Sequence, residues 1–167
     1  MIRSLALAAA ALFAAACSTA PPPAPAPSES SQAGWEAGQA AWLAWNSSQR
    51  GWSTTDSGLQ YRRVSEARPL GARPGPTDTV RVHYEGTFID GRVFDSSYES
   101  GEPIEFPLNR VIRGWTEGLQ LMREGETFEF AIPADLAYGD RWVGGDLIPP
   151  GSVLLFQVEL LAVTPAA

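Results

Sequence analysis

Alternation of apolar and polar residues predicts several strands in the second two thirds of the chain. A period of two runs through the segments 58–64, 80–86, 126–132 and 153–163. In the second of these, Val80, Val82 and Tyr84 share one face, which places His83 on the other. Strands with one apolar face bury that face, so the pattern predicts a sheet with a buried side.

A helical spacing predicts a short helix over residues 111–122. Ile112, Trp115, Leu119 and Met122 recur at i, i+3, i+7 and i+10, which would align them on one face of a helix. On spacing alone, such a stripe is typical of the inner face of a core helix.

A second short helix is predicted in the segment 32–53, which carries four tryptophans. Trp35, Trp42 and Trp45 fall at roughly helical intervals on an alanine-rich background, and we expect the helix to end near Asn46. Exposed indoles at that density would form a large apolar patch. The helix is therefore expected to dock on the folded domain or on a partner.

Asp90-Gly91 is a hairpin signal between the short apolar segments 87–89 and 92–94. No alternation of strands with long helices appears, which argues against a parallel nucleotide-binding sheet. The predicted fold class is α+β, an antiparallel β-sheet wrapped around a short α-helix, with a short N-terminal helix and a disordered N-terminal tether.

The first 31 residues have the pattern of an export signal followed by a tether. Residues 1–16 have the positive charge and the apolar run of a signal peptide, and the run is too short to span a bilayer. Cys17 follows Ala14-Ala15-Ala16, which resembles a bacterial lipobox, so lipidation is predicted, with an unmodified free thiol as the alternative. The rest of 17–31 is a proline-rich linker, or alternatively a ligand for proline-binding modules.

Composition excludes nucleic acid as an expected partner. All 12 basic residues are arginines, while 19 residues are acidic, which gives a net charge of −7. Phosphate binding needs a basic surface, and the net charge here repels it. The 44% hydrophobic content is sufficient for a core.

Several kinds of catalytic site are also excluded by residue count. One His and one Cys cannot build a metal centre, and His83 lies on the wrong strand face to serve a Ser-His-Asp triad. The acidic pair Glu124 and Glu126 is expected to be solvated. If the chain is an enzyme, it therefore works without a metal, a cofactor or a strong acid, base or nucleophile.

Six motifs in order resemble FKBP-type peptidyl-prolyl isomerases. The match covers about 77–163 and rests on 82–86, 90–97, 111–115, 136–139, 148–152 and 155–161. Residues 54–61 resemble the lead-in of the secreted bacterial branch, so we expect the isomerase domain to span 54–167, after the tryptophan-rich segment 32–53.

The resemblance implies an apolar pocket for a proline ring, with Trp115 as its floor. Catalytic roles are implied for Trp115, Phe94, Asp95 and Tyr138, with the Tyr138 hydroxyl and the Ile112 N–H holding substrate carbonyls. The implied substrate-binding residues are Tyr84, Ile104, Phe106, Val111, Ile112, Trp142, Leu147, Ile148 and Phe156. Ile104 departs from the aromatic residue that many members carry, and the loop 139–148 differs from common family versions.

The activity that the resemblance implies is cis-trans isomerisation of X-Pro bonds in exported, proline-containing polypeptides, with rapamycin-type macrolides as potential inhibitors. The alternative from a different functional class is an anchored module that binds proline segments with little catalysis. Ser18 after Cys17 favours the outer membrane over the inner one in bacterial sorting. The short N-terminal segment favours a monomer on the periplasmic side of the cell envelope.

Overall fold

The computed structural model describes residues 31–145 and 147–166. The predicted signal peptide, Cys17 and nearly all of the proline-rich linker lie outside them. The helices are α1 (Gln32–Ser47), α2 (Ser97–Ser100) and α3 (Arg113–Leu119), with 3-10 turns at Leu108–Arg110 and Ala134–Leu136. The strands are β1 (Ser53–Thr54), β2 (Gln60–Arg63), β3 (Thr79–Thr87), β4 (Val93–Ser96), β5 (Ile104–Pro107), β6 (Thr127–Ile132) and β7 (Leu154–Thr164).

The strands form one antiparallel sheet in the order β1-β2-β6-β7-β3-β4, and β5 pairs with the first half of β3. Its inner face follows the predicted alternation, because Val80 and Val82 of β3 are fully buried together with Leu154, Val158 and Leu160 of β7. This face covers α3, so the predicted α+β class, an antiparallel sheet wrapped around a short helix, is confirmed; nearly all of the predicted tether lies outside the described residues. In the described part of the chain, every helix is too short or too polar to cross a membrane.

One edge of β3 is shared by two strands, and this arrangement opens the site. β4 pairs with Glu85–Thr87 and β5 with Thr79–Val82, while α2 occupies the connection between them. At the gap, the Tyr84 N–H donates to the Ser97 hydroxyl at 2.8 Å, and that hydroxyl donates to the Tyr84 carbonyl at 3.2 Å. The serine thus replaces missing strand partners and lets β4 and β5 diverge.

Helix α3 is shorter than predicted, and two glycines explain how closely it approaches the sheet. Val111 and Ile112 precede the helix in extended backbone rather than forming its first turn. A Cβ on Gly114 would lie 2.4 Å from Ile132 Cγ2, and one on Gly118 would lie 2.7 Å from Phe130. Side chains at either position would push the helix off the sheet.

Helix α1 forms where the tryptophan spacing predicts a helix, and it covers the outer face of the sheet. It begins after Ser31, whose hydroxyl accepts from the Gly34 N–H, and it extends one residue past Asn46. Trp42 is buried against Ala131 and Val153 in a second core cluster. The helix therefore docks on the same domain rather than requiring a partner to cover its buried indole.

The expectation that Glu126 is solvated is wrong. Its side chain is buried, and its two carboxylate oxygens accept the backbone N–H groups of Arg68 at 3.0 Å and Arg123 at 2.9 Å. Glu124 also has a structural contact, because its Oε1 accepts the Val163 N–H at 2.6 Å. These carboxylates hold the loop that leads into β3 and the turn before β6.

Candidate active site

A cavity of about 960 Å³ opens between the β4–β5 divergence, the start of α3 and the loop after β6. Its aromatic lining comes from Tyr84, Phe94, Phe106, Trp115, Tyr138 and Phe156. The other predicted lining residues present are Asp95, Ile104, Val111 and Ile112. The structure thus brings ten of the thirteen predicted site residues together; their functional roles remain predictions.

Trp115 lies at the centre of the aromatic cluster. It occupies the first part of α3 and is only 6% exposed. Tyr84 and Phe156 meet its ring edge to face, both with centroids 5.2 Å away, and Phe106 lies at 5.4 Å. Edge-to-face contacts on several sides fix the orientation of an indole ring. The geometry suits a rigid apolar surface against which a small ring could pack.

Phe94 and Phe156 form the wall over Gly86, and the glycine is required there. Their rings are perpendicular, with centroids 5.5 Å apart. A Cβ on Gly86 would lie 2.7 Å from Phe94 and 2.9 Å from Phe156. Because both contacts are below van der Waals distance, the wall depends on the absence of a side chain at this strand position.

A polar pair lies at the rim of the cavity. The Tyr84 hydroxyl donates to Asp95 Oδ2 at 2.5 Å, between neighbouring strands β3 and β4. Burial raises the pKa of Tyr84 well above its usual 10.0, and the hydrogen bond and negative charge of Asp95 raise it further. Burial likewise raises the pKa of Tyr138, with a smaller contribution from Asp95. Both phenols are therefore hydrogen-bond donors at neutral pH.

A spectroscopic titration is expected to show Tyr84 ionising at a higher pH than an ordinary tyrosine. Because its folded pKa is raised, the stability linked to this group is fully present below pH 10 and is lost as pH rises from there towards the folded pKa. Absorbance at 295 nm would be followed against pH for the wild type and Tyr84→Phe. The variant should lack this raised transition; loss of one in the range of an ordinary tyrosine would contradict the assignment. Tyr61→Phe is the matched control.

The backbone before α3 supplies a second polar element. The Ile112 carbonyl accepts the N–H groups of Trp115 at 3.0 Å and Thr116 at 3.1 Å, so it closes the first helical turn. The Ile112 N–H has no protein acceptor among the described residues. Since Ile112 lines the cavity, this donor is placed to meet a ligand carbonyl.

Three predicted substrate-binding residues do not line the cavity. Ile148 is 5% exposed and belongs to the main core, where it forms an antiparallel bridge with Val143. Trp142 and Leu147 are 56% and 48% exposed on the loop outside the cavity. Burial of Ile148 follows from the bridge, which turns its side chain inward, while the neighbouring residues remain at the surface.

Sequence reasoning missed seven residues at the rim. They are Arg110, Arg113, Asp135, Ala137, Gly139, Asp140 and Arg141. Two of them, Arg110 and Arg113, flank Val111-Ile112, and Arg113 could have been found because it belongs to the motif 111–115. Together with Asp95, the charged residues of the rim number three carboxylates and three guanidinium groups. Charge therefore surrounds the mouth, while the interior is aromatic.

His83 lies away from the cavity, as its strand position predicts. Its Nδ1 is 3.0 Å from the Ser97 hydroxyl, and its ring stacks on Tyr98 with centroids 4.8 Å apart. It is half-buried on the outer face of β3. Over the described residues, His, Cys, Asp and Glu side chains form no group of three that could hold a metal ion.

The family model described as "FKBP-type peptidyl-prolyl cis-trans isomerase" matches residues 71–161, which include all of β3 to β6 and the cavity. The chain belongs to this family. It is 55% identical to the FKBP-type isomerase FkpA of Aeromonas hydrophila over 115 aligned residues. The aligned region covers 68% of this chain and 41% of that protein. It is 54% identical over 110 residues to the FKBP-type 22 kDa isomerase of Escherichia coli, covering 66% and 52% respectively.

Solved structures of the FKBP type agree with the fold. The crystal structure of FkpA from Escherichia coli aligns with a TM-score of 0.72 at 44% identity, over 79% of this chain and 60% of that one. An isomerase from Pseudomonas syringae aligns with a TM-score of 0.70 at 34% identity, over 76% and 91%. The chain spans about half the length of the curated FKBP-type relatives described above.

Proposed function

We propose that the protein catalyses cis-trans isomerisation of X-Pro bonds in polypeptides. The observation that carries this proposal is the cavity itself, in which rigid aromatic rings surround Trp115 and charge is confined to the rim. A proline ring is small and apolar and fits such a surface. No group in the cavity interior is required to transfer a proton or form a covalent bond.

The chemistry of the amide explains how this site suffices. Rotation about the C–N bond faces a barrier of ~18–20 kcal/mol, because resonance gives that bond double-bond character. The planar amide is more polar than the twisted one, so an aromatic cavity favours the twisted form. Interactions that are stronger in the twisted form lower the barrier, and each ~1.4 kcal/mol gives about tenfold in rate.

The polar groups at the rim hold the peptide while its bond twists. We assign the Ile112 N–H and the Tyr138 hydroxyl to substrate carbonyls, since both donors line the cavity. Asp95 orients Tyr84 and places a negative charge near the substrate carbonyl. That charge disfavours the resonance form with a negative oxygen, which weakens the double-bond character of the C–N bond.

The decisive test is a protease-coupled isomerisation assay on apolar X-Pro peptides. The wild type should accelerate isomerisation, and Trp115→Leu should lower kcat/KM by about tenfold or more, because it removes the central aromatic surface. Trp42→Leu is the matched control, since Trp42 is also 6% exposed but packs on the other face of the sheet. Peptide binding without acceleration by the wild type would instead favour a binding module.

We further propose that Trp142 contacts the substrate chain beyond the proline. Its indole is exposed on the loop next to Arg141, which lines the cavity. In the same assay, a panel of peptides should separate Trp142→Ala from the wild type by residue preference. Identical profiles would remove the proposed contact. Inhibition by a rapamycin-type macrolide can be measured alongside.

The proposed setting is the bacterial cell envelope, with exported polypeptides as substrates. One relative, 52% identical over 111 residues, is the Outer membrane protein MIP of Legionella longbeachae. We assign residues 1–16 as signal peptide and Cys17 as the lipidated residue, with the outer membrane as its site. Labelled palmitate should be incorporated into the wild type and not into Cys17→Ser.

We further propose that the protein is a monomer, and light scattering is expected to give the molar mass of a single chain.

A further inference from the structure

The start of α1 lies beside the wall of the candidate active site. Gln32 Nε2 donates to the Pro150 carbonyl at 3.3 Å, and the Glu36 side chain lies against Gly151. The Gly151 N–H in turn donates to the Gly139 carbonyl at 2.9 Å, and Gly139 lines the cavity. Two contacts therefore connect the first turn of α1 to the cavity wall.

The residues that enter α1 at this point are rich in proline. Prolines occupy positions 21, 22, 23, 25 and 27, and Ser31 is the N-cap of the helix. A polyproline-like chain advances ~3.1 Å per residue, so the stretch between each of these prolines and Ser31 can span at most about 12 to 31 Å. The segment therefore joins the domain where α1 contacts Pro150 and Gly151, one hydrogen bond away from the cavity-lining Gly139.

We infer that the segment 21–27 of the same chain occupies the cavity as an intramolecular ligand. The inference rests on the proposed function, because it requires a cavity that accepts proline. Glu29 is the single charged residue between Ser18 and Ser31, and the mouth carries three guanidinium groups and three carboxylates. The inference therefore rests on the proline content of the segment and on where it joins the domain, and not on charge.

Tethering makes a weak ligand effective. A short linker holds a segment at a local concentration in the millimolar range. A proline segment with a free dissociation constant of about 1 mM would then fill about half of the cavities or more. Substrate must displace it, so the apparent KM rises by about twofold to fivefold while kcat stays the same. The protein would thus act mainly where substrate is concentrated.

The test compares unlipidated chains, residues 17–167 with Cys17→Ser. One carries serine at all five proline positions of the segment; the matched control carries Ser18→Ala, Thr19→Ala, Ser28→Ala and Ser30→Ala and keeps every proline. Affinity for a fluorescent proline peptide and the values of kcat and KM would be measured. The proline-free chain should bind the peptide about twofold to fivefold more tightly and have a lower KM, with the control equal to the parent.

Equal affinities in parent and proline-free chains, both of them active, would overturn the inference and leave the proposed function standing. Inactivity and lack of peptide binding in both chains would instead refute the proposed function. Amide NMR shifts of Ile112 and Gly139 should also differ between the two chains and stay constant on dilution. Shifts that change with protein concentration would mean that the segment binds another molecule, which would overturn the intramolecular reading.

Discussion

Replacing Asp95 by leucine is expected to lower kcat/KM on an X-Pro peptide by about tenfold to a hundredfold, equivalent to about 1.4–2.8 kcal/mol of transition-state stabilisation. Two effects contribute. The substitution removes the carboxylate at the cavity rim, and it leaves the Tyr84 hydroxyl without the acceptor that it now meets at 2.5 Å. Because Tyr84 packs edge to face on Trp115, its displacement would also disturb the central ring.

A second substitution separates these two effects. Asp95→Asn keeps an oxygen acceptor for the Tyr84 hydroxyl but removes the negative charge. If the charge assists rotation, the asparagine variant should lose most of the activity that the leucine variant loses. Glu105→Leu is the control, because it removes an exposed carboxylate from β5 outside the cavity. Wild-type kcat/KM in a folded Asp95→Leu protein would contradict the role assigned to Asp95.

The sheet was predictable because its information is local. Alternation in 80–86 and 153–163 reports which side chains face the core, and each strand carries that signal independently. The Asp90-Gly91 turn and a shift in register between Gly86 and Thr87 together place Gly86 opposite Asp95. Knowledge of that register places Asp95 within reach of the Tyr84 side chain, although the two residues are 11 positions apart in sequence.

The site was predictable mainly through its resemblance to a family, and physical patterns alone would have missed it. The spacing of Ile112, Trp115, Leu119 and Met122 does not reveal that Leu119 and Met122 are fully buried while Ile112 lines a cavity. That division depends on how α3 meets the sheet, through contacts at Gly114 that are distant in sequence.

Polar burial was the least predictable feature. Glu126 sits beside Gly125 in a turn and resembles a solvated surface residue by its neighbours in sequence. Its partners are backbone groups of a loop about 58 residues earlier and of the adjacent turn. Ile148 illustrates the reverse case, since a bridge to Val143 buries a residue expected to face substrate. Neither outcome follows from periodicity, because Glu126 is buried by a loop distant in sequence and Ile148 by a bridge formed within its own loop.

The buried carboxylate of Glu126 leads to the largest expected effect on stability. Glu126→Ala should lower the free energy of unfolding by roughly 2–5 kcal/mol, because it leaves the N–H groups of Arg68 and Arg123 without acceptors in a site that is only 3% exposed. Urea unfolding would measure the change. Glu105→Ala is the control and should stay within about 0.5 kcal/mol of the wild type, since it is exposed. Glu126→Gln keeps one carbonyl oxygen, so its free energy of unfolding should lie between those of Glu126→Ala and Glu105→Ala. Equal free energies of unfolding for Glu126→Ala and Glu105→Ala would contradict the prediction and show that water accepts from the two N–H groups.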